Sequence, residues 1–316
     1  MRLLLYILTA LFVFSALQSQ ELNRGSYNLR VEEMRGVESS VQLTLTGVSG
    51  TVLYQISREM PYDTPRPLVH LFADGSVLLV DAFAGVYERY GENGRMTDRV
   101  PLNGRVSANH ERIGFLKGND SLAVLFVSEP ERAESRLLIV DALGSTKVDE
   151  PVSGSFASGI ELSPGGTLIA LGTYTWNGPS LSHKTEFLKT DGTPVLSIGR
   201  EFKGGSWSPA GILFAMYGRK EAIVIDVLKN EVLATTDLGD NKVVHEIFWD
   251  DSVPLIVCSP SPTFESGTWV YSRLAVLNLS ERRPIYQSDL SFRSVKLEKN
   301  VAQTSLRIDG RSIRIK

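Results

Sequence analysis

The chain has 316 residues, 42% of them hydrophobic, and its 33 basic and 36 acidic residues give a net charge of −3. This length and apolar content suffice for a sizeable core in one large or two ordinary domains. The balanced charge and the lack of a Lys/Arg-rich run give no indication of nucleic acid as a partner. The single cysteine, Cys258, leaves no intrachain disulfide, and its apolar surroundings predict an inert, buried thiol.

Residues 1–20 predict a signal peptide. Arg2 is followed by the almost wholly apolar Leu3–Leu17 and then by small or polar residues suited to cleavage. A membrane-spanning helix usually needs about 20 apolar residues, so an uncleaved anchor is the less favoured alternative. We therefore expect an exported protein, periplasmic, extracellular or on the cell surface, with no stable membrane insertion after cleavage.

Residues 21–67 are interpreted as an N-terminal arm followed by a hairpin. Residues 21–35 are polar, which suggests an arm. Val41–Thr46 and Thr51–Ile56 both alternate apolar and polar residues and flank Gly47–Gly50, a pattern typical of a β-hairpin. Met60–Pro67 contains three prolines and is predicted to be a connector.

From residue 68 to residue 316 the chain repeats one pattern of a strand, a tight turn and another strand. The first residues of these turns are separated by steps of 45, 45, 45, 41 and 49 residues. A repeat of this length, made of strands and turns, predicts an all-β protein with the β-propeller fold and four-stranded blades. The turns are Asp74-Gly75, Asn119-Asp120, Pro164-Gly165-Gly166, Pro209-Ala210-Gly211, Asp250-Asp251 and Lys299-Asn300.

Each turn is followed by a second strand and later by a third. The second strands are rich in aliphatic and β-branched residues, as expected for strands buried on both faces. They are predicted at Ser76–Val80, Ser121–Val127, Thr167–Leu171, Ile212–Tyr217, Pro254–Cys258 and Gln303–Ile308. The third strands are predicted at Val86–Tyr90, Arg136–Val140, Thr185–Leu188, Ala222–Ile225, Arg273–Leu277 and Ser312–Ile315.

The number of blades depends on how the two ends of the chain are used. The last repeat stops after its third strand, which would leave an exposed sheet edge. The N-terminal hairpin can supply the missing strand, so that strands from both termini close the ring and six blades result. Seven blades are the alternative, in which residues 21–60 form a blade of their own.

Two units between residues 158 and 240 resemble a known repeat family. The turn Ser163–Gly166 and the run from Ile223 to Thr235 are similar to WD-repeat-like and YVTN-type β-propeller repeats. The resemblance spans roughly Leu68 to Lys316 and implies a propeller with a binding role. The Trp-Asp dipeptide of WD repeats is absent from the third strands, and no site residue is transferred from the family.

A binding site is predicted on the face that carries the long, irregular loops at residues 128–135, 174–184 and 259–272, because such loops on a rigid scaffold often hold binding residues. These loops contain aromatic and Arg residues, which dominate interfaces. The alternative is that the rings pack the loops against the blades. The candidate ligand-binding residues, including two histidines near the expected channel mouth, are Tyr174, Trp176, His183, Phe264, Trp269, Arg132, His110 and His245.

No enzyme motif for an esterase elbow, a metalloprotease, a phosphate loop or a dinucleotide site is present in the sequence. Four scattered histidines are weak evidence for a metal, so no metal, cofactor or catalytic residue is predicted. We expect a monomeric, non-catalytic module that binds a protein, peptide or glycan at the cell envelope. The alternatives are a propeller hydrolase or lyase with its site at the channel mouth, and a purely structural envelope component.

Overall fold

The computed structural model describes residues 17–34, 39–60, 66–81, 84–102, 114–129, 134–153, 156–241, 243–299 and 304–315. In these ranges the regular secondary structure consists of β-strands, and every strand pairing is antiparallel. No helix that could cross a membrane is found in them. The chain divides into two compact units, Met1–Ala157 and Ser158–Lys316.

The described part of the first unit contains three four-stranded sheets, in each of which strands that follow one another in the chain are hydrogen-bonded. The first sheet comprises β1 (Leu17–Arg24), β2 (Tyr27–Met34), β3 (Ser39–Thr46) and β4 (Val52–Met60). The second comprises β5 (Leu68–Leu71), β6 (Val77–Asp81), β7 (Val86–Tyr90) and β8 (Met96–Pro101). The third comprises β9 (Gly114–Gly118), β10 (Leu122–Glu129), β11 (Glu134–Asp141) and β12 (Thr146–Ser153).

The second unit contains three further four-stranded sheets, a two-stranded hairpin and a three-stranded sheet among its described residues. The first four-stranded sheet comprises β13 (Phe156–Leu162), β14 (Leu168–Asn177), β15 (Ser180–Lys189) and β16 (Pro194–Ile198). The next comprises β17 (Gly204–Trp207), β18 (Leu213–Tyr217), β19 (Glu221–Asp226) and β20 (Glu231–Asp237).

The remaining strands of this unit include an insertion. The third four-stranded sheet comprises β21 (Val243–Asp250), β22 (Val253–Ser259), β25 (Leu274–Asn278) and β26 (Arg283–Ser288). The hairpin inserted between β22 and β25 comprises β23 (Thr263–Glu265) and β24 (Thr268–Val270). The last sheet comprises β27 (Val295–Lys299), β28 (Thr304–Ile308) and β29 (Arg311–Arg314).

Burial follows the position of a strand in its sheet. Middle strands such as β22 and β25 are almost wholly buried, whereas the last strand β8 is exposed along its length. The middle strands are continuous apolar runs because both of their faces pack against neighbouring sheets. In the second unit, Phe187 of one sheet packs edge-on against Phe214 of the next, with ring centroids 5.4 Å apart. Such packing between sheets fixes the positions of the strand ends, from which the loops project.

The predicted second and third strands are confirmed in all six repeats, with ends that differ by a few residues except where β14 and β15 continue further. The propeller repeat was recognisable because apolar strands and tight turns alternate in a regular period. The last sheet also stops at its third strand within the described residues, as the sequence predicted.

The N-terminal segment differs from the prediction. The hairpin is present as β3 and β4, but the polar arm forms β1 and β2, and these four strands make a complete sheet. Leu29 and Val31 alternate with polar residues on β2 and are fully buried, so a short apolar stripe suffices to hold a polar segment in the sheet. The prediction that an N-terminal strand joins the last sheet is therefore wrong for the described residues. Residues 21–60 lie in a sheet of their own, as in the alternative.

The export signal lies mostly outside the described residues, because nothing is described before residue 17. Residues 17–20, which the prediction assigned to the signal, form the first half of β1 and pair with Val31–Met34 of β2.

One backbone irregularity recurs in six sheets. The pairing of the third with the fourth strand shifts register near the connecting turn, for example between Leu45 and Thr46 in the first sheet and between Arg89 and Tyr90 in the second. Such a shift marks a β-bulge, which bends and twists the strand. The first sheet shares this feature and is therefore built as a repeat of the same type.

Candidate functional site

The β14–β15 hairpin is the longest strand pair of the second unit and replaces the predicted loop at 174–184. Tyr174 pairs with His183 and Trp176 with Leu181, and the hairpin closes through Gly178 and Pro179. Gly178 has φ +64°, a conformation that glycine adopts without strain. Because β16 pairs with β15 only from Thr185 onward, the tip of this hairpin extends beyond the sheet.

One face of this hairpin carries its aromatic side chains. Side chains two residues apart on a strand share a face, so Tyr174, Trp176, His183 and Leu181 lie together. The Tyr174 and His183 rings are 6.5 Å apart, centroid to centroid, and 61% of the Trp176 surface is exposed. The His183 Nδ1 atom is buried and has no hydrogen-bond partner among the described residues. The structure thus brings three predicted site residues onto one aromatic face.

The β23–β24 hairpin presents a second aromatic surface. Phe264 and Trp269 are directly opposite each other in the ladder, with ring centroids 5.1 Å apart in an edge-to-face arrangement. Their turn residues, Ser266 and Gly267, both have positive φ, which suits the tight turns of two-residue hairpins. Both rings are more than half exposed, at 62% and 57%. The alternative that these rings pack onto the sheets therefore does not describe Trp176, Phe264 or Trp269.

His245 lies at the base of the second hairpin. Its ring packs edge-on against Tyr271 at 4.8 Å, and Tyr271 stacks on Phe292 at 5.1 Å. Tyr271 and Phe292 also exchange two backbone hydrogen bonds, of 2.8 and 2.9 Å. Burial lowers the pKa of His245. His245 therefore packs against aromatic rings at the base of the β23–β24 hairpin.

A serine and a histidine lie within hydrogen-bond distance but are not arranged for nucleophilic catalysis. His245 Nε2 is 2.9 Å from the Ser259 Oγ. The Ser259 hydroxyl donates to the Pro260 carbonyl oxygen at 3.1 Å and is fully buried. A catalytic pair needs an accessible nucleophile and a base oriented by a third group. Among the described residues, no side chain hydrogen-bonds to Nδ1 of His245.

His70, to which no role was assigned from the sequence, is held by a hydrogen bond and a ring contact. Its Nε2 atom is 2.9 Å from the Asn119 carbonyl oxygen, and its ring packs edge-on against Phe72. Burial is the main cause that lowers the pKa of His70 to about 4. Burial likewise raises the pKa of the Cys258 thiol to about 12, so this cysteine is an inert thiol as predicted.

Two predicted site residues, His110 and Arg132, lie outside the described residues. The loop that was predicted at 128–135 is in part an extension of β10 and β11, which pair as far as Glu129 and Glu134. Among the described residues, no group of three or more His, Cys, Asp or Glu could hold a metal ion.

Sequence reasoning did not reveal two cavities in the second unit. One is an apolar pocket of about 570 Å³ at the short turns, lined by Pro209, Ile212, Leu228 and Trp249 among others. The other is a polar groove of about 590 Å³ between the segment after β20 and the β25–β26 pair. Both are lined by residues of two successive sheets, and no local sequence motif indicates a cavity of that kind.

Comparison with solved structures supports the β-propeller fold. A structure described as the Dos1 propeller has a TM-score of 0.56 and 12% identity, covering 88% of this chain and 71% of that chain. A eukaryotic initiation factor has a TM-score of 0.54 and 10% identity, covering 95% of this chain and 88% of that one. Dihydro-heme d1 dehydrogenase NirN in complex with DHE has a TM-score of 0.54 and 14% identity, covering 93% and 61%.

At such identities the likeness shows the fold alone. No protein-family model and no curated protein matches the sequence, so the WD-repeat-like and YVTN-type resemblance is supported at the level of the propeller fold.

Proposed function

We propose that this chain is an exported, non-catalytic β-propeller module that binds a protein, peptide or glycan through the aromatic hairpins β14–β15 and β23–β24. One observation carries the proposal. Trp176, Phe264 and Trp269 remain more than half exposed although the chain has enough sheet surface to bury aromatic rings such as Phe187 and Trp207.

Exposed rings of this size are costly in an unbound protein. Burying a Phe-sized side chain is worth about 1.5–3 kcal/mol relative to leaving it exposed. Aromatic residues held on a rigid scaffold are typical of interface hot spots, because they bring large contact area with little loss of side-chain freedom. The strand ladders fix the backbone of both hairpins before a partner arrives, which reduces the ordering cost of binding.

The non-catalytic part of the proposal is supported by the Ser259–His245 pair, in which the serine is buried and its hydroxyl already donates to a backbone carbonyl. The dehydrogenase among the structural neighbours demonstrates that a related fold can hold an enzyme. No contact in the described residues favours that alternative here.

Partner capture tests the binding surface. Trp176→Ala, Trp269→Ala and Phe264→Ala proteins are used as bait against an envelope extract and a glycan panel, beside the wild-type protein. The expected result is a partner that the wild-type chain retains and the variants lose by tenfold or more. Leu143→Ala is the control, since Leu143 is also exposed but belongs to a turn of the first unit. Unchanged binding by all three aromatic variants contradicts the proposal.

Export is tested on the same protein in its native cell. Fractionation is expected to place it outside the cytoplasm, and intact mass measurement gives the first mature residue. Cleavage after residue 16 leaves the whole of β1, while cleavage after residue 20 shortens β1 to Glu21–Arg24. A full-length, cytoplasmic protein contradicts the proposal of export.

A further inference from the structure

The polar groove of the second unit has the architecture of a ligand site. Its volume is about 590 Å³, within the range of small-molecule sites. Arg273 precedes β25 and Arg282 follows it, and both line the groove. Eight residues separate them, and the five that form β25, at about 3.4 Å each, span roughly 17 Å along the groove.

Four charged side chains of the groove have no internal partner. The guanidinium groups of Arg273 and Arg282 and the carboxylates of Asp240 and Asp289 line the groove, and none of them forms a side-chain hydrogen bond or ion pair with another described residue. Unpaired charges are normally solvated at open surfaces. Here they converge on one concavity, where a ligand can replace that water.

The charges of the groove are balanced. It is lined by three arginines and three aspartates: Arg273, Arg282, Arg283, Asp237, Asp240 and Asp289. The Arg283 guanidinium also pairs with Glu281 at 2.6 Å. Asp237 keeps its charge while it accepts a hydrogen bond from the Gly239 backbone N–H at 2.8 Å. A phosphate or a polyacidic chain meets as much repulsion as attraction here, whereas a neutral ligand with many hydroxyl groups can accept from guanidinium and donate to carboxylate.

The surface that the groove offers a ligand is mainly polar. Leu274, Ala275 and Leu277 of β25 also line it, but they are buried. A sugar chain presents hydroxyl groups along its length, and charged donors and acceptors suit such a ligand.

Addition of a peptide strand is disfavoured at this groove. Among the described residues, β26 is the last strand of its sheet and pairs only with β25, so its other edge is free. Pro284 lies in that strand and lines the groove. Proline lacks the N–H group that strand addition requires, and it is one of the residues that protect sheet edges from pairing.

We propose that this groove binds a neutral, linear oligosaccharide, with Arg273, Arg282, Asp240 and Asp289 hydrogen-bonded to its hydroxyl groups. The site is separate from the aromatic hairpins and goes beyond the function proposed above.

The test uses the full chain and a panel of neutral linear tetrasaccharides, uronate-containing and sulfated oligosaccharides, and short peptides, followed by calorimetric titration of the strongest neutral sugar. Arg273→Gln and Asp289→Asn are each expected to weaken that binding by about tenfold or more, the effect of losing a hydrogen bond to a charged group. Arg311→Gln is the control, because Arg311 is an exposed arginine of β29 outside the groove. Circular dichroism verifies that each variant is folded.

The results separate this inference from the proposed function. Failure of every neutral oligosaccharide to bind overturns the inference, as does binding of acidic sugars or peptides alone, or unchanged affinity in both groove variants. Trp176→Ala is expected to bind the neutral sugar with wild-type affinity. If partner capture then also fails with the wild-type chain, the hairpin proposal is wrong while the groove remains supported.

Discussion

The Trp249 indole Nε1 donates a hydrogen bond to the backbone carbonyl oxygen of Ser206, 2.9 Å away on the first strand of the preceding sheet. Trp207 makes the equivalent bond to Glu161 at 3.2 Å. Both indoles are buried. A repeated tryptophan at the end of a first strand therefore joins each of these sheets to the one before it, in addition to the apolar packing.

Replacement of Trp249 by Phe is expected to lower the free energy of unfolding by about 1–3 kcal/mol. The change removes a hydrogen bond, loses part of a large buried ring and leaves the Ser206 oxygen without the indole donor. Urea unfolding measures the loss. Trp176→Phe is the control and is expected to change stability very little, since Trp176 is exposed. Equal stability of the two variants contradicts the role given to the Trp249 bond.

His70 predicts a pH dependence of stability. Its pKa in the folded protein is about 4, below the ordinary value of about 6.5 for an unfolded chain. Between these values the unfolded state binds a proton that the folded state does not, so stability is full above pH 6.5 and falls as the pH falls towards 4. The expected contribution is about 3 kcal/mol over the window.

The measurement is the urea midpoint from pH 7 to pH 4 for the wild-type protein and His70→Gln. The glutamine keeps an N–H donor for the Asn119 oxygen but does not titrate. The variant should therefore have a shallower slope, and a residual slope is expected because burial lowers the pKa of His245 too. Identical slopes would show that His70 does not titrate as described.

Two glycines of one sheet offer a matched test of packing. A Cβ at Gly172 would overlap the Phe202 ring and the Ser158 hydroxyl, whereas a Cβ at Gly165 meets nothing within 4 Å. Phe202 is fully buried and cannot move without disturbing the core. Gly172→Ala is expected to cost about 1–3 kcal/mol, while Gly165→Ala should be close to neutral. Thermal unfolding of both variants checks this, and comparable melting temperatures would contradict it.

A buried carboxylate joins two sheets of the first unit. The Glu88 side chain on β7 is only 5% exposed and accepts hydrogen bonds from Arg58 of β4 and from the Tyr90 hydroxyl, with Arg99 3.4 Å away. Arg58→Met should destabilise the protein by about 2–3 kcal/mol, since it removes one partner of a buried charge while Arg99 remains. The Arg58→Met, Glu88→Leu double variant should be more stable than Arg58→Met alone, and urea unfolding decides whether it is.

The repeat was predictable from sequence because its turns and apolar strands are local features. The first sheet was predicted only as the alternative, in which residues 21–60 form a blade of their own, and the reason is also local. The turns Gly47–Gly50 and Gly91–Gly94 are closed by the same backbone hydrogen bond. In both, the N–H of the second glycine donates to the carbonyl oxygen of the first. Both second glycines have positive φ. Comparison of these two glycine pairs would have identified the N-terminal strands as a repeat, although the polar composition of β1 and β2 suggested an arm.

The candidate site was predictable only in part. Aromatic residues in interrupted repeats pointed to Trp176, Phe264 and Trp269. No sequence pattern separates these exposed rings from the partly buried rings of Tyr271 and His245, which pack against each other. That difference depends on strand register, which places Phe264 opposite Trp269 and pairs Tyr271 with Phe292. The groove arginines were missed because the groove is lined by residues of two sheets, and the sequence of one segment does not indicate which segment of another sheet lies beside it.

Tryptophan fluorescence tests both the exposure of the tryptophans in the candidate site and the binding of a partner to them. Of the four tryptophans, Trp176 and Trp269 are 61% and 57% exposed, while Trp207 and Trp249 are each 6% exposed. Iodide should therefore quench about half of the emission of the native protein. In the Trp176→Phe, Trp269→Phe double variant the remaining emission should be blue-shifted and nearly insensitive to iodide. A partner that binds the hairpins should protect the wild-type protein from quenching, whereas a ligand of the polar groove should leave the Trp176 contribution unchanged, because Trp176 belongs to a different sheet. Strong quenching of the double variant would show that the buried pair is misplaced.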